Sequence, residues 1–315
     1  MVDVLALAVA AFWLHLLGER RAVVRTGRRR GRRARRRALM FYAGLLTILV
    51  ALTGPIGALA GQLFWVQMIQ RLLLLTVAAP LIALGRPWIS LWRAFPPRVR
   101  RPVAWAVAQS PSWAPARWLF RALARPPGAW LAFSINLVFW HLPGPFDLTL
   151  RNTHVHMLAC STFLLFGIFF WTLVTGSSRA ASRLSYARRI GYLGTAMVTN
   201  VGLSIFLAFS QHPLYAPYAE LASRPGGISA LADQQIGAGV MWAAGDVPFA
   251  IIFALLIHRW LAAQEAAVAS LGRLGAGSPD VGWPANAGQP LAQTAWPPEA
   301  TPAAGDHAGQ RGDSS

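Results

Sequence analysis

Residues 154–174 read HVHMLACSTFLLFGIFFWTLV, 21 positions without an acidic residue or an arginine. As a helix this run rises about 31 Å, enough to cross a hydrocarbon core of roughly 30 Å. In lipid only helices and closed barrels satisfy their own backbone polar groups, so the run predicts a transmembrane helix. Working outward, six further apolar runs occupy 2–17, 39–60, 63–85, 129–146, 190–210 and 236–260. The first is the shortest. With 55% hydrophobic and 13% charged residues, the chain is too apolar for an ordinary soluble domain. The expectation is an all-α polytopic integral membrane protein, a seven-transmembrane-helix bundle covering 1–261.

Charge orients the bundle. All 29 basic residues are arginine, and eleven of them lie between Arg20 and Arg37, directly after the first run. Residues 86–128 carry eight more and 176–189 carry four, whereas the intervening connections contribute only Arg151 and Arg224. That alternation follows the positive-inside rule, with the N-terminus outside and the C-terminus inside. It accounts for the basic patch without nucleic acid. The start Met1-Val2-Asp3 lacks a positive n-region, so the first run reads as a retained anchor rather than a cleaved signal. The Pro-, Arg- and Trp-rich stretch 86–128 reads as a cytoplasmic loop with an interfacial piece. Residues 262–315, rich in Ala, Gly and Pro, read as a disordered tail. A single cysteine, Cys160, excludes an intrachain disulfide.

Depth then makes the polar residues legible. His141 falls at the outer end of span four, His154 and His156 at the outer start of span five, and Cys160 one turn deeper. Gln67, Met68 and Gln70 in span three, and Gln234, Gln235, Met241 and Trp242 in span seven, share that outer half. His156 and Cys160, at i and i+4, share one helix face; His154 and Met157, at i and i+3, share a neighbouring one. Imidazole with thiolate or thioether suits Cu(I), and zinc less specifically. Two histidines from different helices would instead clamp a haem iron, and Cys160 with His156 would form a nucleophile–base pair in an enzyme. His15 reads as structural. Arg71 and Asp246 lie at matching depth, where lone charges are costly, and are expected to form an interhelical ion pair.

Four motifs carry a family resemblance: Phe64-Trp65-Val66-Gln67-Met68-Ile69-Gln70-Arg71 with Ala79-Pro80-Leu81; Phe139-Trp140-His141-Leu142-Pro143; Pro213-Leu214-Tyr215-Ala216-Pro217-Tyr218; and Asp233-Gln234-Gln235-Ile236-Gly237-Ala238-Gly239-Val240-Met241-Trp242. Over residues 40–260 the chain resembles the CtaG-like membrane proteins that serve cytochrome c oxidase assembly, the seven-helix group associated with Caa-type oxidases. The resemblance implies a bacterial plasma-membrane protein whose partners are oxidase subunits and membrane lipid. It also sharpens three departures. Where relatives carry two histidines four apart in span three, this chain has Gln67 and Arg71. Where they carry the second histidine of a span-five pair, it has Cys160. Asp246 replaces a small or apolar residue.

The leading expectation is a non-enzymatic accessory protein for a haem–copper oxidase, holding Cu(I) transiently at His141, His156 and Cys160 with His154, Met68 or Met241 nearby. Asp233, Gln234, Gln235 and Trp242 form its motif. Gly237, Gly239, Gly191, Gly194 and Gly202 are expected to admit close helix approach, and Tyr215–Tyr218 to anchor at the interface. The alternatives are a metal-free scaffold for oxidase assembly and a haem-binding membrane protein.

Overall fold

The computed structural model describes residues 2–27, 31–176 and 184–276. Two compact units divide the chain, Met1–Gln264 and Glu265–Ser315; every contact discussed below lies within the first. The described residues are helical, with no strand among them. In order they form α1 (Val2–Thr26), α2 (Arg32–Leu52), α3 (Gly54–Leu59), α4 (Phe64–Leu72), a π-helical turn (Leu73–Ala78), and α5 (Ala79–Gly85). Next come α6 (Trp88–Arg93), α7 (Pro97–Gln109), α8 (Ala114–Leu123), α9 (Pro126–Phe139), α10 (Pro143–Arg151) and α11 (Thr153–Val174). The last are α12 (Tyr186–Ala208), α13 (Ala216–Ala219) and α14 (Ala230–Ala276).

Among the described residues, five stretches are long and apolar enough to cross a membrane: Arg32–Leu59, Phe64–Gly85, Thr153–Val174, Tyr186–Ala208 and Ala230–Ser270. They match five of the seven expected runs. The run 2–17 lies within α1, which continues past Leu17 into Glu19, Arg20 and Arg21. The run 129–146 is not one helix. It is cut after Phe139, and α9, at 14 residues, rises only about 21 Å. Pro143 is the cause: it restricts the preceding Leu142, whose φ of −67° and ψ of 141° are extended, and α10 restarts behind it. Between α5 and α9 the expected interfacial stretch folds as three short helices. No residue of α7 or α8 is buried. The tail expected from residue 262 begins instead as helix through Ala276; residues 277–315 lie outside the described residues.

Prolines break helices here, and distant side chains repair the breaks. Pro55 cannot donate to the Ala51 carbonyl four residues back, and Gln70 Nε2 does so from α4 at 2.8 Å. In the π-helical turn the ladder runs i to i+5, as in Ala79 N–H to Leu74 O. The Leu75 carbonyl would then need Pro80, which has no N–H; the Trp171 indole donates to it at 2.7 Å. In lipid an unpaired carbonyl costs several kcal/mol, so these side chains hold the broken helices in place. A buried cluster that includes Leu75, Phe133, Phe163, Phe170, Trp171 and Phe249 joins α9, α11 and α14 to the turn.

Gly237 admits the closest approach among the glycines singled out from the sequence. A Cβ there would lie 2.3 Å from Phe64 Cδ1 and 3.2 Å from Trp65 Cα. Gly194 has only an ordinary contact at 3.6 Å, to Phe253, while Gly191, Gly202 and Gly239 have nothing within 4 Å. Gly237→Ala is therefore expected to cost about 1–3 kcal/mol through overpacking. Thermal unfolding in detergent measures this, with Gly239→Ala as the neutral control.

Candidate functional site

The site is built at the end of the bundle where α4, α11 and α14 begin. Asp233, in the first turn of α14, is fully buried. Its carboxylate accepts the Phe64 N–H at 2.8 Å and the Trp65 N–H at 3.1 Å. Those are among the first N–H groups of α4, which no intrahelical carbonyl can reach. Asp233 thus caps a helix 168 residues away in sequence, and its negative charge suits the positive end of the α4 dipole. With the Phe64 N–H taken, the Tyr218 hydroxyl reaches Ala60 O at 2.5 Å and Gln67 Oε1 at 2.6 Å. Gln234 accepts the Leu214 N–H at 2.8 Å and donates to Leu207 O at 3.2 Å, tying the end of α12 to the next connection. Gln235 and Trp242 are exposed on the opposite face of α14.

The tyrosines of Tyr215–Tyr218 do not anchor at an interface. Both are buried, because their hydroxyls are needed inside. Tyr215 stacks on Phe146, with centroids 3.9 Å apart, and on Phe64 at 5.0 Å. Its hydroxyl donates to His141 O at 2.8 Å, a carbonyl whose usual partner four residues on is Pro145. Met68 and Met241 pack in this same aromatic cluster, so their thioethers are core. Met157 lies elsewhere, on a cleft with Cys160.

Arg71 and Asp246 do not form the expected ion pair. Arg71 Nη1 donates to Trp140 O at 3.0 Å, at the C-terminal end of α9, and its guanidinium carbon lies 4.3 Å from the Phe146 ring centroid. A cation there complements the negative end of a helix, and the ring face adds a cation–π contact. Asp246 instead accepts from Asn200 Nδ2 at 3.2 Å, and the same amide donates to Met241 O at 3.0 Å. The two residues point to different neighbours, Arg71 to α9 and Asp246 to α12.

Of the expected ligands, the structure joins two. Cys160 Sγ lies 3.6 Å from His156 Nε2, as their i, i+4 spacing on α11 requires. His141 is buried beside Phe163, with its Nδ1 2.6 Å from Leu137 O. That bond leaves Nε2 without a partner, the atom a metal would take. Arg71 acts electrostatically on His141, His156 and Cys160 alike, so the four share one neighbourhood. Yet among the described residues no three His, Cys, Asp or Glu side chains gather as a metal-holding group. His154 is exposed in the first turn of α11, whose backbone is capped by Asn152. His156 lines a small cavity of about 160 Å³ with Gln67, Thr149 and Thr153. Cys160 lines a separate cleft of about 200 Å³ with Met157, Ser161 and the α1 residues Val4, Leu7 and Ala8.

Residues 20–263 match the family of cytochrome c oxidase caa3 assembly factors. The chain belongs to that family. The span includes all four motifs and every hydrogen bond described at this end of the bundle. Among curated proteins it is 23% identical over 241 residues to uncharacterized proteins of Mycobacterium bovis and Mycobacterium tuberculosis, covering 74% of this chain and 35% of each relative. An uncharacterized protein of Mycobacterium leprae is 24% identical over 71% of this chain and 34% of its own length. The chain thus spans about a third of the length of the curated relatives it matches. No solved structure matches it. As a caa3 assembly factor family member with several apolar helices, it is a multi-pass membrane protein.

Asn200 and Thr149 were not singled out from the sequence. An asparagine inside an apolar run is a costly group that must find a partner, and that signal would have marked Asn200. Thr149, which receives a long 3.4 Å bond from Gln67, carries no such signal.

Proposed function

We propose that this chain is a non-enzymatic accessory protein of cytochrome c oxidase biogenesis in the bacterial plasma membrane, with oxidase subunits as partners. In this reading it crosses the membrane seven times, N-terminus outside and C-terminus inside, so that the motif end lies in the outer half. Its cargo is Cu(I), held transiently between the His156 imidazole and the Cys160 thiolate. The observation that carries the reading is the 3.6 Å contact between those two groups beside a buried arginine. Charge favours the thiol. Cu(I) on imidazoles alone would set a second cation next to Arg71, whereas Cu(I) bound as the Cys160 thiolate adds no net charge there. A site of few donors also suits a carrier that must give up its metal, and His141 Nε2 stands as the third donor on transfer.

Copper content of the purified protein, loaded under reducing conditions, tests this. His156→Ala and Cys160→Ala are each expected to lose copper by at least the roughly 10–100-fold in affinity that outer-shell changes alone produce. His154→Ala keeps it. Equal copper in all four proteins ends the carrier reading and leaves the second one, a metal-free docking scaffold. That alternative draws on the absence of a three-ligand group among the described residues and on how many motif side chains are spent closing helix ends. Deleting the gene separates the two further: lost oxidase activity that added copper restores supports the carrier.

A further inference from the structure

Away from the motif end, a cleft of about 490 Å³ opens between the second half of α1 and the turn joining α6 to α7. Arg21, Arg93 and Arg100 line it with Phe95, Pro96 and Pro97. A depression of about 260 Å³ adjoins it through the shared Pro97 and Arg100, and adds Arg101 and Trp92. Neither lining contains an acidic residue, and residues 86–128 hold eight arginines and no Asp or Glu. Glu19, the acid on the adjoining turn of α1, accepts the Ser90 hydroxyl. Arg21 Nη1 donates to the Ala94 carbonyl, and Arg100 Nε is buried with no hydrogen-bond partner.

Guanidinium groups collected round one opening repel each other unless an anion joins them. Planar guanidinium forks match phosphate oxygens in pairs. Free phosphate and a lipid headgroup share that chemistry, and the surroundings choose between them. Trp92, Phe95, Val99, Val103 and Trp105 are all exposed on α6, α7 and their junction, an apolar flank that a free ion would not need. Tryptophan beside arginine is the composition of a membrane–water interface. We propose that this cleft is a binding site for an anionic phospholipid, its phosphate held by Arg21, Arg93 and Arg100 and its acyl chains lying along the Trp92–Trp105 flank. It is independent of copper and of the oxidase, and needs only that the chain sits in a membrane.

The test uses the full chain in nanodiscs of mixed phosphatidylcholine and phosphatidylglycerol, with retained lipid counted by native mass spectrometry after transfer to detergent. Wild type is expected to retain phosphatidylglycerol over phosphatidylcholine. Arg93→Gln and Arg100→Gln should each reduce that preference about fivefold, from roughly 1 kcal/mol per arginine at a membrane surface. Arg117→Gln and Arg121→Gln, which remove equal charge outside the cleft, should leave it unchanged. An equal loss in both pairs would show diffuse attraction and overturn the site. Displacement of the lipid by millimolar inorganic phosphate would overturn the lipid as occupant. Copper content of the Arg93 and Arg100 variants should match wild type, which keeps this outcome separate from the carrier reading.

Discussion

Asp233→Ala is expected to lower stability by about 3 kcal/mol, since it strips two charge-assisted hydrogen bonds, one from a buried and one from a part-buried N–H. The side chain accepts from both Phe64 and Trp65, and truncation leaves those donors facing apolar packing. Asp233→Asn keeps one acceptor oxygen and should recover part of the loss. The effect will spread. The Tyr218 hydroxyl closes the same junction through Ala60 O and Gln67 Oε1, so α4 should shift against α14 and disturb the His156 cavity that Gln67 also lines. Thermal unfolding in detergent checks the stability, and copper content checks the spread. An Asp233→Ala protein with wild-type unfolding would show that the cap does not hold these helices together.

The second large effect falls on Arg71. Arg71→Met should cost about 2–3 kcal/mol, because it leaves the Trp140 carbonyl unpaired in a buried site. Asp246→Ala should cost less, since Asn200 keeps its bond to Met241 O. The exchange Arg71→Asp with Asp246→Arg should not restore stability, and the Arg71→Met/Asp246→Ala double variant should equal the sum of the singles to within about 0.5 kcal/mol. A rescue by exchange would mean that the two charges meet after all. Unfolding of the four proteins under one condition decides it.

The error over that pair has a simple origin. Counting residues along a span gives only a position along the helix axis. Which way a side chain faces round its helix is set by neighbours, and nothing local records whether Arg71 turns towards Trp140 or towards Asp246. The contact between His156 and Cys160 was legible for the opposite reason: four residues on one helix is a local distance. His141 could be placed at the correct end of the bundle, but whether it reaches that pair depends on how α9 meets α11. The methionines show the same limit. Nothing local to Met68 or Met241 records that they fill one aromatic core beside Phe64 and Phe146.

The motifs themselves were readable as words without meaning. Asp233-Gln234-Gln235 stood out, yet its roles differ residue by residue: a cap for α4, a tie to α12, and an exposed amide. The proline-broken carbonyls explain why such residues are needed. Each break can be read from the chain at Pro55, Pro80 and Pro145, but the donors that mend them, Gln70, Trp171 and Tyr215, come from 19, 96 and 74 residues away. One break also undid a sequence expectation, since apolar composition runs through Leu142 while Pro143 ends the helix.

What the amino-acid chain determined unaided was its solvent, its helical class and the pairing of neighbours on one turn, because hydrophobic run length and the 3.6-residue period act locally. What only the folded bundle decided was which polar atoms meet. In an apolar medium every opened carbonyl or N–H must find a partner, and the partner that satisfies it is chosen by helix rotation and packing, not by distance along the sequence.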